Sequence, residues 1–274
     1  MQGMESKIID GRKLAERRTE ILWEKVACLP FKPKIVSVIV GNDPASLLYT
    51  QIKKRKAKEV GINFQPMYFG FPPVKWEAVI KEIEELNDDQ AVTGILVQLP
   101  LPEDFLDGKS EEELLNKIDP RKDIDGLTIN SPFLPAVVRA VLGILEEEKI
   151  TVDGKKAVVV GASNLVGRPL AKELERMGAK VTVCDERTAD LREQTLQAQI
   201  LVSAAGAPGL IKENMVSGGV MVIDVGTNKV GDKVVGDVDF ASVLPKASKI
   251  TPVPGGVGPM TVVSLLENVV KLGE

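Results

Sequence analysis

Histidine is absent from the 274 residues of this chain. Its absence removes the commonest general base and the commonest metal ligand at neutral pH. Cysteine is nearly absent too. Cys28 and Cys184 are the only two and lie far apart, which excludes a thiolate zinc cluster. They read as free thiols of a cytoplasmic protein rather than as a disulfide framework. No apolar run approaches the roughly 20 residues of a membrane-spanning helix. The start, Met1-Gln-Gly-Met-Glu-Ser6, lacks the apolar stretch of a signal peptide. Positive charge is not in excess: the net charge is −4, and Lys and Arg are interleaved with Glu. That pattern leaves no electrostatic footprint for nucleic acid or an anionic membrane. Acid–base chemistry therefore falls to Lys, Asp, Glu or Tyr, with no metal expected.

What remains is a soluble globular composition, 44% hydrophobic and 27% charged, long enough for one large domain or two ordinary ones. Strand and helix patterns alternate, which predicts α/β architecture with a mainly parallel sheet in each of two domains. Asp10 caps a helix from Gly11 to about Val26, with Leu14, Ala15, Ile21, Leu22 and Val26 inward. Strands are expected at 34–40, 62–69 and 93–97, and helices at 44–60 (Asp43 cap, Pro44 first) and 76–86. Ser110 and Glu113 form a capping box for a short helix. The polar turn Asp119-Pro-Arg-Lys-Asp-Ile-Asp-Gly126 marks the domain boundary. A helix over 135–148 then leads into the second domain. Expected domains are 1–118 plus 260–274, and 119–259.

The second domain opens with strand, glycine turn, helix and strand over 155–184. Ala157–Val160 and Ala179–Cys184 read as buried parallel strands. Between them Gly161-Ala-Ser-Asn-Leu-Val-Gly167 aims backbone N–H groups and a helix start at a ligand, by default a dinucleotide pyrophosphate. The middle glycine of the strict G-x-G-x-x-G pattern is missing, so a cofactor-free βαβ unit stands beside that reading. Asp185, at the end of the second strand, suits a ribose 2′-hydroxyl and hence NAD; Arg187 instead suits the 2′-phosphate of NADP.

Three further groups carry potential chemistry. Tyr49 and Lys53 share a helix face one turn apart, with Leu48 and Ile52 expected to anchor that helix on its sheet. A pocket wall with a proton carrier competes here with a surface Tyr packed on a Lys stem. Gln98-Leu-Pro-Leu-Pro102 leaves a strand at its carboxyl end, where open α/β sheets bind ligands. Asp123 and Asp125 precede Gly126, as a recognition carboxylate or as turn caps.

Together these segments resemble the bifunctional methylenetetrahydrofolate dehydrogenase/cyclohydrolase family. The resemblance rests on Tyr49-Thr-Gln-Ile-Lys53 with Lys56–Ile62, Gly94–Pro102, Pro120–Gly126, Val160–Pro169 and Thr251-Pro-Val-Pro-Gly-Gly-Val-Gly-Pro-Met-Thr261, in that order. It implies a folate site in a cleft between two α/β domains. It implies NADP-linked oxidation of 5,10-methylenetetrahydrofolate, with NAD as the alternative cofactor, then hydrolysis to 10-formyltetrahydrofolate. In these terms Lys53 is catalytic, Tyr49 stacks on the folate, Gln98 positions Lys53, and Asp125 binds the pterin edge. Leu99, Pro254, Gly255 and Gly256 complete the substrate site. Gly161, Ala162, Ser163, Asn164, Val166, Asp185, Arg187 and Thr227 contact the cofactor, and the assembly is a homodimer. Three segments depart from the family pattern: the chain is shorter after Asn130, Pro135-Ala-Val-Val138 replaces Pro-Cys-Thr-Pro, and Cys184-Asp-Glu186 replaces Cys-His-Ser. A nucleotide-binding regulatory protein on the same fold, or an enzyme keeping one activity, are the competing readings. Neither binder nor scaffold needs Lys53, Gln98 and Asp125 together.

Overall fold

Consecutive β-branched residues make Lys34–Val40 (β1) a strand with six buried positions out of seven. Such a run has no polar face to give to water, so it becomes the middle strand of a covered sheet. In the computed structural model, which describes residues 7–70, 74–231 and 233–273, β1 lies between Asn63–Phe69 (β2) and Gly94–Val97 (β3), parallel to both. Helices Gly11–Ala27 (α1), Pro44–Glu59 (α2) and Trp76–Asp88 (α3) occur in the order the periodicity predicts, followed by Glu103–Leu106 (α4) and Glu111–Leu115 (α5). The caps are as the residue types demand. Asp10 Oδ1 accepts from Arg12 and Lys13 N–H, Asp43 Oδ2 accepts from Ser46 N–H, and both bonds of the Ser110/Glu113 box are made.

The chain then forms Ala136–Glu147 (α6), Lys156–Val160 (β4), Gly167–Arg176 (α7), Lys180–Cys184 (β5), Leu191–Leu196 (α8), Ile200–Ser203 (β6) and Met221–Asp224 (β7). The antiparallel hairpin Asn228–Val230 (β8) and Lys233–Val235 (β9) follows, then Phe240–Val243 (α9), Lys249–Ile250 (β10) and Val257–Gly273 (α10). The second sheet is parallel, in the order β10-β7-β6-β4-β5. Val158, Val160, Leu201, Val222 and Ile250 fill its core with Ile211, Val216 and Val238. Burying each such side chain is worth about 1.5–3 kcal/mol.

Two compact units result. One is Arg17–Ala136 with the chain from Val262 onward; the other is Val137–Thr261 with the chain up to Glu16. The boundary therefore differs from the expected one at residue 118. Segment 119–136 belongs with β1–β3 because Asp123 bridges to Ile95 on β3 and the buried Asn268 side chain donates to the Ile124 carbonyl at 2.9 Å. Residues before Glu16 belong with β4–β10 because Ile8 pairs with Ile250. The chain crosses the division three times, within α1, α6 and α10.

Four local expectations are corrected. Ile21 is 56% exposed, since the inward stripe of α1 closes on Leu14, Leu22 and Val26 without it. Leu48 is also exposed, and α2 instead buries Ser46, Thr50, Lys53 and Ala57, a stripe at four-, three- and four-residue steps. β5 is not a buried strand: it is the sheet's edge, with Val183 40% exposed. The glycines and prolines of 251–259 predict a rigid loop with the last helix starting at Met260, whereas that helix begins at Val257.

Candidate active site

In the β1–β3 unit, the buried stripe of α2 carries Lys53 inward. Its Nζ donates to Gln98 Oε1 at 3.0 Å. Gln98 directly follows β3 and is held twice: its backbone N–H reaches the Val38 carbonyl at 2.8 Å, and its Nε2 donates to the Leu99 carbonyl at 2.7 Å. Because that carbonyl only accepts, the amide nitrogen must face it, and the amide oxygen must face Lys53. The Leu99–Pro100 peptide is cis, and Leu99 is half-buried. Tyr49 is half-buried one turn before Lys53. A cavity of about 470 Å³, lined in part by Val40, Gly41, Leu101 and Phe105, lies at the carboxyl edge of the same sheet.

Lys53 and Asp125 oppose each other electrostatically. Burial lowers the Lys53 pKa, while the Asp125 charge raises it. Burial raises the Asp125 pKa, Lys53 lowers it, and Asp123 raises it again. An amine that loses its proton more readily than an exposed lysine, fixed by an amide acceptor beside a carboxyl group, is a proton carrier in place.

The two aspartates before Gly126 divide the roles that the sequence left open. Asp123 is the cap: it is buried, and its oxygens accept from Gly126 N–H at 2.9 Å and Thr128 N–H at 2.8 Å. Asp125 is left to face the lysine. Sequence reasoning did not assign this support. The Asp-x-x-Gly turn spacing of Asp123 and Gly126 signalled it, whereas nothing local announces Asn268, which clamps the carbonyl of the peptide leading into Asp125.

The remaining predicted residues lie in the β4–β10 unit. Gly161 has φ of 107°. A Cβ on Gly167 would lie 1.8 Å from the Gly161 carbonyl oxygen, so only glycine permits this tight strand-to-helix turn. Ser163 Oγ accepts from the N–H groups of Val166 and Gly167, and Arg168 donates to the Ala162 carbonyl. Ala162 and Val166 are half-buried, whereas Ser163, Asn164 and Thr227 are exposed. Asp185 Oδ1 accepts from Arg187 N–H at 2.9 Å and from the Thr188 hydroxyl, which caps the turn after β5. Among the described residues nothing engages the exposed Arg187 guanidinium. In the loop before α10, Gly255 has φ of 109°, Pro254 is exposed, and the Gly256 carbonyl closes against Gly11. Among the described residues no His, Cys, Asp or Glu cluster fit to hold a metal occurs, and no helix is long and apolar enough to cross a membrane.

Known proteins share both halves of this arrangement. Residues 9–125 match the catalytic domain of the tetrahydrofolate dehydrogenase/cyclohydrolase family, and residues 135–274 match that family's NAD(P)-binding domain. The bifunctional protein FolD of Lactobacillus acidophilus is 44% identical over 97% of this chain and 96% of its own. The crystal structure of the bifunctional FolD enzyme of Campylobacter jejuni superposes with a TM-score of 0.92 at 40% identity, covering 97% and 98% of the two chains. That of the Trypanosoma brucei enzyme, complexed with NADP and an inhibitor, gives 0.89 at 34% identity, covering 97% and 96%. A lysine–glutamine–aspartate site on one sheet, a glycine turn on another and these matches over both lead to one assignment: the chain belongs to the tetrahydrofolate dehydrogenase/cyclohydrolase family.

Proposed function

We propose that this protein oxidises 5,10-methylenetetrahydrofolate to the 5,10-methenyl cation with NADP and then hydrolyses that cation to 10-formyltetrahydrofolate. The observation that carries the reading is the Lys53–Gln98 contact beside Asp125. In the hydrolytic step a C–O bond forms as water adds to the methenyl carbon. Neutral Lys53 takes one proton from that water, leaving a carbinolamine; the C–N5 bond then breaks as this proton is passed to N5, and the carbinolamine hydroxyl releases its own proton to solvent as the formyl C=O forms. Burial makes the neutral amine accessible; Gln98 Oε1 fixes its position; Asp125 binds the pterin edge and Tyr49 stacks on the folate, with Leu99 beside them.

The β4–α7 turn fits a dinucleotide because Gly161 and Gly167 hold it tight, backbone against backbone where any Cβ would meet a carbonyl oxygen, at the place where pyrophosphates meet helix N-termini. NADP, when bound, supplies the hydride acceptor. Gly161, Ala162, Ser163, Asn164, Val166 and Thr227 would hold it. Arg187 would take the 2′-phosphate, which its unengaged guanidinium favours over NAD. The relative from Trypanosoma brucei was solved with NADP. The domains on this reading are a folate-binding unit and a dinucleotide-binding unit. The free thiols of Cys28 and Cys184 suit the cytoplasm, and the exposed edge strand β5 suits a homodimer. Light scattering giving twice the 29.6 kDa chain mass would support that assembly; the monomer mass would remove it.

The test is to mix protein, methylenetetrahydrofolate and NADP, following reduced nicotinamide and the 10-formyl product separately. Both signals are expected, with a lower KM for NADP than for NAD. Absence of both would defeat the reading.

A further inference from the structure

We infer that Asp237 is a positioning residue for the nicotinamide half of the dinucleotide; this rests on the function proposed above. The strand order places β4 between β5 and β6. The chain leaves β4 toward β5 and later returns to β6 on the other side, so the connections after β4 and β6 diverge. Such a switch point opens a crevice at the carboxyl ends of the strands. One lip is the Gly161–Ser163 turn. The other is the Ala204–Ala207 segment after β6. The lips touch at Gly161, where an added Cβ would lie 2.2 Å from the Ala204 carbonyl oxygen.

Asp237 organises the second lip from beneath. It is fully buried. Its Oδ2 accepts from the Ser203 hydroxyl at 3.1 Å, Ala205 N–H at 2.7 Å and Gly206 N–H at 3.2 Å. Its Oδ1 accepts from Ala207 N–H at 3.0 Å and from Asn228 Nδ2 at 2.9 Å. Only a carboxylate offers acceptors for so many converging donors. Its own backbone is fixed, with Asp237 N–H on Asp224 Oδ1 and the Asp237 carbonyl accepting from Ile211. One side chain thus ties the β6 loop to Asn228, the neighbour of Thr227.

The polarity of that lip follows. With the N–H groups of Gly206 and Ala207 turned inward to Asp237, the planar trans peptides turn the carbonyls of Ala205 and Gly206 away from it. The lip therefore offers acceptors, suited to ribose hydroxyls or a carboxamide NH₂ and unsuited to phosphate. Asp185 and Arg187, at the end of β5 on the opposite side of β4, suit the adenosine half. The β6 lip is left with the nicotinamide half.

The test uses the full chain and two probes, NADPH and 2′,5′-ADP, each titrated by fluorescence or calorimetry. Asp237→Asn places an amide donor against N–H groups and should raise the NADPH Kd and the NADP KM about tenfold or more. Affinity for 2′,5′-ADP should stay within about twofold, as should the hydrolysis of methenyltetrahydrofolate, which needs no dinucleotide. Should this variant fail to fold by circular dichroism, Asn228→Ala, which leaves four of the five donors, is expected to show the same split at about threefold. Unchanged NADPH affinity in the folded variant, or an equal loss of both probes, would overturn the assignment. Because NADPH titration needs no turnover, a wild-type protein that binds NADPH but oxidises no folate would refute the proposed function and leave this inference standing on its own result.

Discussion

Lys53 is charged by default and buried by its helix, and Asp125 sets how far those two tendencies part. The carboxylate raises the Lys53 pKa against the lowering by burial. Replacing it by a neutral amide removes the opposing influence, so Lys53 should lose its proton at lower pH. In Asp125→Asn, the ascending limb of the kcat–pH profile for hydrolysis is expected to move to lower pH, even as KM for the folate rises. A limb that stays put, or moves upward, would contradict the role assigned to the pair. Lys53→Met should abolish hydrolysis, by about 10² or more as expected for loss of a general base, while NADPH binding is retained. Full hydrolytic activity in that variant would end the assignment of Lys53. The residue types of this site were legible in the sequence because each stands beside punctuation: Gln98 at a strand end before prolines, Asp125 before a turn glycine, Lys53 one turn after Tyr49. The division of roles between Asp123 and Asp125 was not, and neither was Asn268. Capping and recognition ask for the same carboxylate, and only the fold shows which aspartate meets N–H groups. Asn268 reaches Ile124 across a sequence separation of 144, which no local pattern encodes.

At the level of elements, strand–turn–helix alternation predicted both parallel sheets, because β-branched runs bounded by Gly, Pro and Asp leave few alternatives. It failed at β5. Apolar content cannot distinguish an edge strand from a central one, since edge position depends on which strands arrive later. The β4–α7 turn, by contrast, is specified by its glycines. In Gly167→Ala the methyl group would meet a backbone carbonyl that no side-chain motion can move aside. The variant should lose dinucleotide affinity by tenfold or more, about 1.4 kcal/mol, in an NADPH titration, with hydrolysis persisting. Wild-type affinity would mean the turn does not cradle the cofactor.

For the molecule as a whole, the lack of histidine leaves the range between pH 4 and 6 to carboxylates. Asp224 titrates at its upper end. Burial pushes its pKa from 3.8 up to about 6, against the N–H groups of Val238, Asp237 and Gly226 that favour the anion. The folded state therefore holds this proton more tightly than the unfolded chain. The group's contribution to stability is full below pH 3.8 and is lost as pH rises through about 6. The rise corresponds to about 3 kcal/mol. Asp224→Asn cannot titrate, so its stability relative to wild type should improve by that order between pH 4 and 7, on top of a constant cost for the altered hydrogen bonds. Urea denaturation at pH 4, 5.5 and 7 measures the difference, and a pH-independent gap would refute it.

The three crossings of the division also govern how the protein is made. The β1–β3 unit is encoded mostly before Ala136, yet it includes Val262–Gly273 of α10, with Asn268 clamping Ile124 and Glu267 paired with Arg18. A ribosome working at about 5–20 residues per second delivers that helix only after the whole β4–β10 unit. The β4–β10 unit, opened by the residues up to Glu16, is interrupted by most of the β1–β3 unit and closes at Thr261, so a nascent chain stalled there carries a complete β4–β10 unit and a β1–β3 unit still lacking Val262–Gly273.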